Sequence, residues 1–285
     1  MLDAAFSFIV DAEPKFAYQG YHLARSILSH SVGLESRIYV QVTREVTEDA
    51  RTTFRTLGCE VRQIERFGDG RYCNKLNQLE TLREAEYRYA VLLDTDTIVL
   101  DHLGPLLTGE SLKGRIVGGA NPSLSALESL ARLSGLASRP RVVQADCTGC
   151  DTFEGNLNGG LYVVPCALSK IMAEAWKRWT IWLLEHNEPL RGEGKLHHAD
   201  QVGLWLAIHH ANIPWEPLPA NWNYNPASLH RSYDVDVPIA LLHYHGALNA
   251  VGELNLPGAP EMNRESIARA NVQFALGHRL IKGLN

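Results

Sequence analysis

The sequence predicts an α/β protein in which helices cover both faces of a mostly parallel central sheet. Strand and helix patterns alternate through roughly the first hundred residues, in the order βαβαβαβ that builds such a sheet with right-handed crossovers. The composition, 45% hydrophobic and 21% charged, is ordinary for a globular protein. We expect one domain over residues 1–285, because this length suffices for a single large α/β core.

The first part of the chain predicts four strands and three helices. Apolar runs and β-forming residues predict the strands 6–10, 37–42, 59–64 and 90–93. Apolar residues at helical spacing predict helices over 18–28 and 74–87. Thr47, followed by Glu48 and Asp49, predicts the N-cap and acidic first turn of another helix. The strand 90–93 is fully apolar, which is typical of a central position in a parallel sheet.

The second part of the chain is less regular. We expect strands over 115–119 and 158–164, separated by an insertion over about 121–156 that is rich in Ser, Gly and Pro and has a short helix at 124–133. The long helix 167–185 has an apolar face that we interpret as core, formed by Met172, Trp176, Trp179 and Leu183. An amphipathic helix over 263–282 could contact an anionic membrane weakly, although a solvated face is the better interpretation of its basic residues, Arg264, Arg269, Arg279 and Lys282.

Charge and composition exclude several functions. A net charge of -5 argues against nucleic-acid binding, which usually requires a basic face. No apolar run approaches the roughly 20 residues of a transmembrane segment, and the N-terminus does not resemble a signal peptide, so we expect a cytoplasmic protein. The five cysteines do not form a secreted disulfide pattern. Cys147 and Cys150 could be inert, form a local disulfide, or be half of a zinc site with His197 and His198.

The strongest local signal is a pair of carboxylates at the end of the central strand. Asp94 and Asp96 are two residues apart, and strand periodicity would point both side chains to one face, where they could bind a single ion. Oxygen ligands suit Mg²⁺ or Mn²⁺, which in proteins often bind one or two carboxylates together with substrate phosphates. A strand-end turn in which one Asp caps the next segment is the alternative.

Other motifs follow in an order that extends this signal over most of the chain. They are the early strand ending at Asp11, Asn74-Lys75-Leu76, the run Asp94 to Leu100, Asn158-Gly159-Gly160-Leu161, Asp200-Gln201, Leu218-Pro219 with Trp222-Asn223, and His243-Tyr244-His245-Gly246. In this order the motifs resemble glycosyltransferase family 8, which includes glycogenin and bacterial lipopolysaccharide galactosyltransferases. The resemblance implies the GT-A fold, which is Rossmann-like, and transfer of a sugar from a nucleotide-diphosphate sugar to an acceptor hydroxyl.

The resemblance also implies roles for individual residues. The metal, Mn²⁺ or Mg²⁺, would be bound by Asp94, Asp96 and His243, with His245 as the alternative ligand. The residues expected to bind the nucleotide sugar are Phe8, Val10, Asp11, Lys75, Asp94, Thr95, Asn158, Gly159 and Gly246. Asp200 and Gln201 would lie at the anomeric carbon, although Asp200 could also be a helix N-cap. Lys75 could instead be a solvated helix lysine.

The expected reaction retains the anomeric configuration and uses a uridine diphosphate donor, both by analogy with the family. About 1–120 would bind the nucleotide, about 121–156 would shape the acceptor site, and 157–285 would complete the sheet and end in the C-terminal helix. The acceptor could be a carbohydrate or another hydroxyl compound.

One departure from the family pattern is clear: Ala247-Leu248-Asn249 stands where the family usually has Lys-Pro-Trp, whose lysine binds a phosphate. The rival functions are a sugar nucleotidyltransferase, a glycoside hydrolase and a non-catalytic nucleotide-sugar-binding relative. The first would need a glycine-rich loop after the first strand, and the second would need carboxylates that face each other across a sugar.

Overall fold

The structure, a computed structural model, describes residues 1–276, and a seven-stranded sheet runs through this part of the chain. The strands are, in chain order, β1 (Leu2–Val10), β2 (Ser36–Val42), β3 (Glu60–Gln63), β4 (Tyr87–Leu93), β5 (Thr97–Val99), β6 (Leu112–Ile116), β7 (Val142–Gln144), β8 (Asp151–Phe153), β9 (Leu157–Pro165), β10 (Trp215–Pro217), β11 (Trp222–Tyr224) and β12 (Leu241–His243). The helices are α1 (Pro14–His30), α2 (Glu48–Thr56), α3 (Asn77–Thr81), α4 (Leu124–Leu133), α5 (Cys166–Glu185), α6 (Glu188–Gly192), α7 (Ala199–His210) and α8 (Arg264–Ala275).

The main sheet has the strand order β10-β6-β9-β4-β1-β2-β3. β1 is parallel to β2 and β4, β2 is parallel to β3, and β6 is parallel to β10. Only β9, which lies between β4 and β6, is antiparallel to its neighbours in this sheet of the described chain. The predicted mostly parallel sheet is therefore confirmed, and β4 lies at its centre as its apolar sequence predicted.

Two smaller sheets flank the main one. β11, β12 and β5 form a three-stranded sheet, in which β12 runs antiparallel to β5. This pairing brings the C-terminal part of the chain next to the residues that follow β4. β7 and β8 form a hairpin within the insertion.

Each face of the main sheet is covered by its own hydrophobic core. Along β4, Val91 and Leu93 contribute to the core that includes α1, α2 and α8, whereas Ala90 and Leu92 contribute to the core that includes α3, α5 and α7. This alternation is what a strand buried on both faces requires. The predicted apolar face of α5 is confirmed, because its four residues are buried in the second core.

Several predicted elements are confirmed in detail. Thr47 is the N-cap of α2, where its side chain accepts a hydrogen bond from the Ala50 N–H at 3.3 Å. The helix 124–133 has the predicted bounds. The ends of strands β1, β2, β3 and β9 lie within four residues of their predicted positions.

Two elements differ from their predictions. The helix expected over 74–87 is a 3₁₀ turn, Tyr72–Leu76, followed by the short α3, and the chain is already in β4 at Tyr87. The apolar spacing predicted a helix that is too long, because Leu82 is fully buried although it lies after the end of α3. The strand expected over 115–119 is β6, which begins and ends three residues earlier, because the buried Lys113 gives the start of the strand a polar residue that is not typical of a core strand.

The last helix described is α8, which ends at Ala275. Arg279 and Lys282, which belonged to the predicted amphipathic helix, lie outside the described residues. Within residues 1–276, no helix has the length and apolar character needed to cross a membrane.

Candidate active site

A cavity of about 560 Å³ opens where β1 and β4 end, at the carboxyl edge of the sheet. Ligands in open α/β sheets bind at this edge. The structure brings most of the predicted site residues together here: Asp11, Lys75, Asp94, Thr95, Asp96, Asn158, Gly159, Asp200, Gln201, His243 and Gly246 all line the cavity.

Two predicted donor-binding residues are not among them. The side chains of Phe8 and Val10 are fully buried in the core, where both lie close to Gly20 of α1. Ile9, which points to the other face of β1, lines the cavity instead. The motif predicted the strand correctly, but it did not determine which face of the strand lines the cavity.

Asp11 lines the cavity with a carboxylate that is already well occupied. It accepts hydrogen bonds from the Thr43 hydroxyl at 2.9 Å and from the guanidinium of Arg66 at 2.6 and 2.9 Å. Burial raises the pKa of Asp11, but the bonds from Arg66 and Thr43 outweigh burial and lower it overall. Asp11 is therefore ionised in the folded protein, and its hydrogen bonds connect the end of β1 to Thr43 and Arg66.

Lys75 and Asp94 form an ion pair on the floor of the cavity. The 3₁₀ turn Tyr72–Leu76 directs Lys75 inward, and its Nζ lies 2.5 Å from Asp94 Oδ1 and donates to the Gly159 carbonyl at 2.6 Å. A Cβ at position 159 would lie 2.8 Å from this Nζ, so a side chain there would move the end of the lysine from its present position. Burial lowers the pKa of Lys75, but Asp94 and Asp200 raise it more, so the ammonium stays charged. The alternative of a solvated helix lysine is wrong.

A second group of polar atoms lies beside this pair. One ligand atom each from Asp96, His243 and His245 lie within 4.8 Å of one another, as the donors around a bound metal ion would. The pairing of β12 with β5 places His243 opposite Thr97, next to Asp96. His245 follows in the left-handed region, with φ of 50°, and this turn carries its ring to 3.9 Å from the ring of His243.

Hydrogen bonds to Nδ1 fix the orientation of the His243 ring. Its Nδ1 lies 3.1 Å from Asn158 Oδ1 and 3.0 Å from Asn223 Oδ1, and since amide oxygens only accept, Nδ1 carries the proton. The Nε2 then faces Asp96 Oδ1 at 3.4 Å. An imidazole held in this way by second partners is typical of metal ligands.

Gly160 and a bulge make this arrangement possible. A Cβ at position 160 would overlap His243 Nδ1 and lie 2.7 Å from its Cε1, so a side chain there would displace the imidazole. The register between β11 and β12 shifts at Asn223, whose φ is 148°. Bulges of this kind redirect a side chain, and here the amide of Asn223 turns towards His243.

The two aspartates of the Asp-x-Asp motif do not act as one pair in this structure. β4 ends at Leu93, and the Thr97 N–H donates to the Asp94 carbonyl at 3.2 Å, so 94–97 is a turn rather than extended strand. Strand alternation therefore does not apply to these residues. Asp94 pairs with Lys75, and Asp96 joins the two histidines. Ligation by Asp94 stays a prediction.

Asp200 and Gln201 lie in the first turn of α7, directed at the cavity. The N-cap is His198, so the alternative role of Asp200 as N-cap is wrong. Burial raises the pKa of Asp200, Lys75 lowers it and Asp94 raises it, with a net result of about 6. Gln201 Nε2 donates to the Asn121 carbonyl at 2.9 Å and to Asn156 Oδ1 at 3.2 Å, which ties it to both ends of the insertion.

The structure shows Cys147 and Cys150 as free thiols. Cys147 Sγ lies 3.2 Å from His230 Nδ1, in a buried network with Arg115 and Asp146. His197 and His198 line the cavity instead. Within residues 1–276, metal-binding side chains converge in the Asp96 group and not at the cysteines, so the structure does not support a zinc site here.

Sequence reasoning missed several residues of the cavity wall. They are Lys15, Phe16 and Gln19 of α1, Tyr72 of the 3₁₀ turn and Arg71 before it, and the pair His197 and His198, which the sequence suggested only as zinc ligands. None belongs to a motif with a defined spacing. Arg71 and Tyr72 lie just before the helix that the sequence predicted over 74–87, at the start of a 3₁₀ turn that it did not predict.

Comparison with known proteins gives one family match and several similar folds. Residues 7–112 match the family described as the Rhodobacterales glycosyltransferase domain. This match covers little more than a third of the chain, and together with the GT-A fold it supports the predicted transferase enzyme. No curated protein matches the chain by sequence.

Solved structures show the same fold. The galactosyltransferase LgtC, in complex with donor and acceptor sugar analogues, is 17% identical with a TM-score of 0.58, covering 95% of each chain. Mouse xyloside xylosyltransferase 1 is 12% identical with a TM-score of 0.51, covering 86% of this chain and 99% of that one. GlyE of Streptococcus pneumoniae TIGR4 is 13% identical with a TM-score of 0.58, covering 98% of this chain and 63% of that one.

Proposed function

We propose that the protein transfers a sugar from a nucleotide-diphosphate sugar, a UDP-sugar, to an acceptor hydroxyl, with Mn²⁺ or Mg²⁺ as cofactor and with retention of anomeric configuration. The observation that carries the proposal is the cavity itself. In a chain with a glycosyltransferase domain, it combines a group of metal-binding side chains with a buried lysine and a buried carboxyl group. The complex of LgtC with donor and acceptor analogues supports it by analogy of fold.

The residues present fit a divalent cation. Asp96, His243 and His245 offer one oxygen and two imidazole nitrogens within 4.8 Å, and Nε2 of His243 faces Asp96 Oδ1 at 3.4 Å. Asp94 becomes a further ligand if Lys75 turns to the donor phosphates. An imidazole-containing set favours Mn²⁺ over Mg²⁺, which prefers oxygen ligands. The bound ion supplies Lewis-acid stabilisation of the charge on the departing diphosphate.

The other groups bind and orient the donor. Lys75 supplies a buried positive charge for the diphosphate or the donor sugar, and we assign Asn158, which also lines the cavity, to the sugar hydroxyls. Lys15 and Arg71 also line the cavity, and we assign to them the charge that the family lysine after Gly246 would provide. Both are more than half exposed and pair with Glu13, so they can turn towards an anion.

Asp200 and Gln201 face the anomeric carbon in this proposal. The acceptor oxygen forms a bond to that carbon, the bond from the carbon to the diphosphate oxygen breaks with its electron pair, and the hydroxyl proton passes to the departing diphosphate. Gln201 is held by Asn121 and Asn156, so the insertion 121–156 that we assign to the acceptor side also positions this amide. We propose that residues 1–285 work as one domain, because both cores are built on the same sheet.

A donor panel tests the proposal. UDP-, GDP-, ADP- and CDP-sugars are incubated with the protein and Mn²⁺ or Mg²⁺, and release of the nucleoside diphosphate is measured with and without acceptors. We expect one UDP-sugar to be turned over, with activity lost on chelation and reduced roughly a hundredfold in Asp96→Ala. Glu261→Ala, at a highly exposed position, is the matched control.

The stereochemistry and the rival function are decided in the same assay. Proton NMR of the first product reports whether the anomeric configuration is retained. Nucleotide binding without turnover of any donor would favour the non-catalytic relative, and neither binding nor turnover would reject the proposal.

A further inference from the structure

Two aromatic side chains at the mouth of the cavity have no part in the roles described so far. Tyr72 is 51% exposed although it lines the cavity, and His197 is also exposed there. Their ring centroids are 5.9 Å apart, with an angle of 52° between the planes. Within residues 1–276, neither the Tyr72 hydroxyl nor the His197 ring nitrogens make a hydrogen bond, so both are available to a ligand.

Each of these aromatic residues lies above one of the charged residues on the cavity floor. Tyr72 precedes Lys75 by three residues in one 3₁₀ turn, and His197 precedes Asp200 by three residues where the turn Leu196–His198 runs into α7. Side chains three apart in such turns lie one above the other. The buried Lys75 and Asp200 therefore form the floor, and Tyr72 and His197 form the rim.

The chemistry of this rim matches a sugar ring. A pyranose has a face of C–H groups that packs on an aromatic ring, and hydroxyls around its edge that need hydrogen-bond partners. Tyr combines an apolar ring with a polar hydroxyl, and His197 adds a nitrogen on the adjacent side. Pockets lined by aromatic groups with few polar atoms are typical small-molecule sites. A serine or threonine acceptor in a protein would present no such ring.

We propose that Tyr72 and His197 form the acceptor subsite and that the acceptor is a carbohydrate whose ring stacks on Tyr72. The inference rests on the proposed function, because it takes Asp200 and Lys75 as the place of the donor sugar. The acceptor hydroxyl then enters over the rim and reaches the anomeric carbon above Asp200. The insertion 121–156 contacts parts of the acceptor further from the reacting hydroxyl.

Binding measurements test this subsite without requiring turnover. Saturation-transfer difference NMR is recorded with a panel of methyl glycosides and lactose, on wild type in the presence of UDP and Mg²⁺. The variants are Tyr72→Ala, His197→Ala and the matched control Tyr72→Phe, which keeps the ring. We expect at least one glycoside to bind through its ring C–H protons, with roughly tenfold weaker binding in Tyr72→Ala and binding within about threefold of wild type in Tyr72→Phe.

UDP affinity, measured by calorimetry on the same samples, separates this inference from the proposed function. We expect UDP affinity to be unchanged in all three variants. The subsite is refuted if wild type binds UDP but none of the glycosides, or if Tyr72→Ala binds the glycoside as well as wild type does. Absence of UDP binding in wild type would instead overturn the donor site, and with it the premise of the subsite.

Discussion

Replacement of Asp200 by asparagine removes a carboxyl group that the fold buries at a cost. Its pKa is about 6 in the folded protein against an ordinary value of 3.8, with burial as the largest cause. Because the folded state binds the proton more tightly than the unfolded state, the stability of the wild type falls as the pH rises through this window. The rise in pKa from 3.8 to about 6 corresponds to about 3 kcal/mol, fully lost above about pH 7.

An asparagine side chain at this position cannot ionise, so the variant should avoid this loss. We expect Asp200→Asn to equal the wild type in stability near about pH 4 and to exceed it by about 2–3 kcal/mol near about pH 8, in the absence of nucleotide. Donor turnover should fall strongly, while UDP affinity stays within about threefold of wild type.

Urea unfolding followed by tryptophan fluorescence, over a series of pH values, measures this difference. Asp151→Asn, at an exposed acid in β8, is the control, and it should show no such pH dependence. The reasoning would be refuted if Asp200→Asn were less stable than wild type near about pH 8, or if the difference between them did not change with pH.

Two further substitutions test other parts of the structure. Gly160→Ala should displace His243 and weaken Mn²⁺ binding, measured by calorimetry, at least roughly tenfold. Gly192→Ala, where a Cβ meets nothing within 4 Å, should leave the Mn²⁺ affinity unchanged. Equal affinities in both variants would contradict the packing argument. Asp146→Ala leaves buried Arg115 without its carboxylate partner and should cost about 3 kcal/mol of unfolding free energy near neutral pH. Burial raises the pKa of Asp146, but its bonds from His230 and Ser232 and the charge of Arg115 lower it overall, so the cost should be constant above about pH 4 and shrink progressively below it; a cost at about pH 2 as large as that at neutral pH would contradict it.

The parts of the site that the sequence predicted are those tied to the sheet. Asp11 and Asp94 follow β1 and β4, and the ends of neighbouring parallel strands meet at one edge of the sheet. The motif order added Asp200 and His243, whose elements come from distant parts of the chain. The local sequence pattern around each of these residues does not determine which distant elements pack together.

What the sequence did not predict depends on turns and on the choice of strand face. The turn after Leu93 separates Asp94 from Asp96, although their spacing suggested a common direction. Tyr72 begins a 3₁₀ turn that the sequence did not predict, since the expected helix started at 74. His245 joins His243 through a backbone conformation with φ of 50°, which is uncommon for residues other than glycine and which the sequence pattern does not predict.

The central claim, a metal-dependent nucleotide site at Asp96 and His243, is tested most directly by calorimetry. UDP, GDP, ADP and CDP are titrated into wild type and Asp96→Ala, with and without Mn²⁺. We predict that UDP binds wild type tightly only with Mn²⁺, and that Asp96→Ala loses at least roughly tenfold in this affinity. Binding of UDP that is equal with and without Mn²⁺, or equal in wild type and Asp96→Ala, would contradict the account.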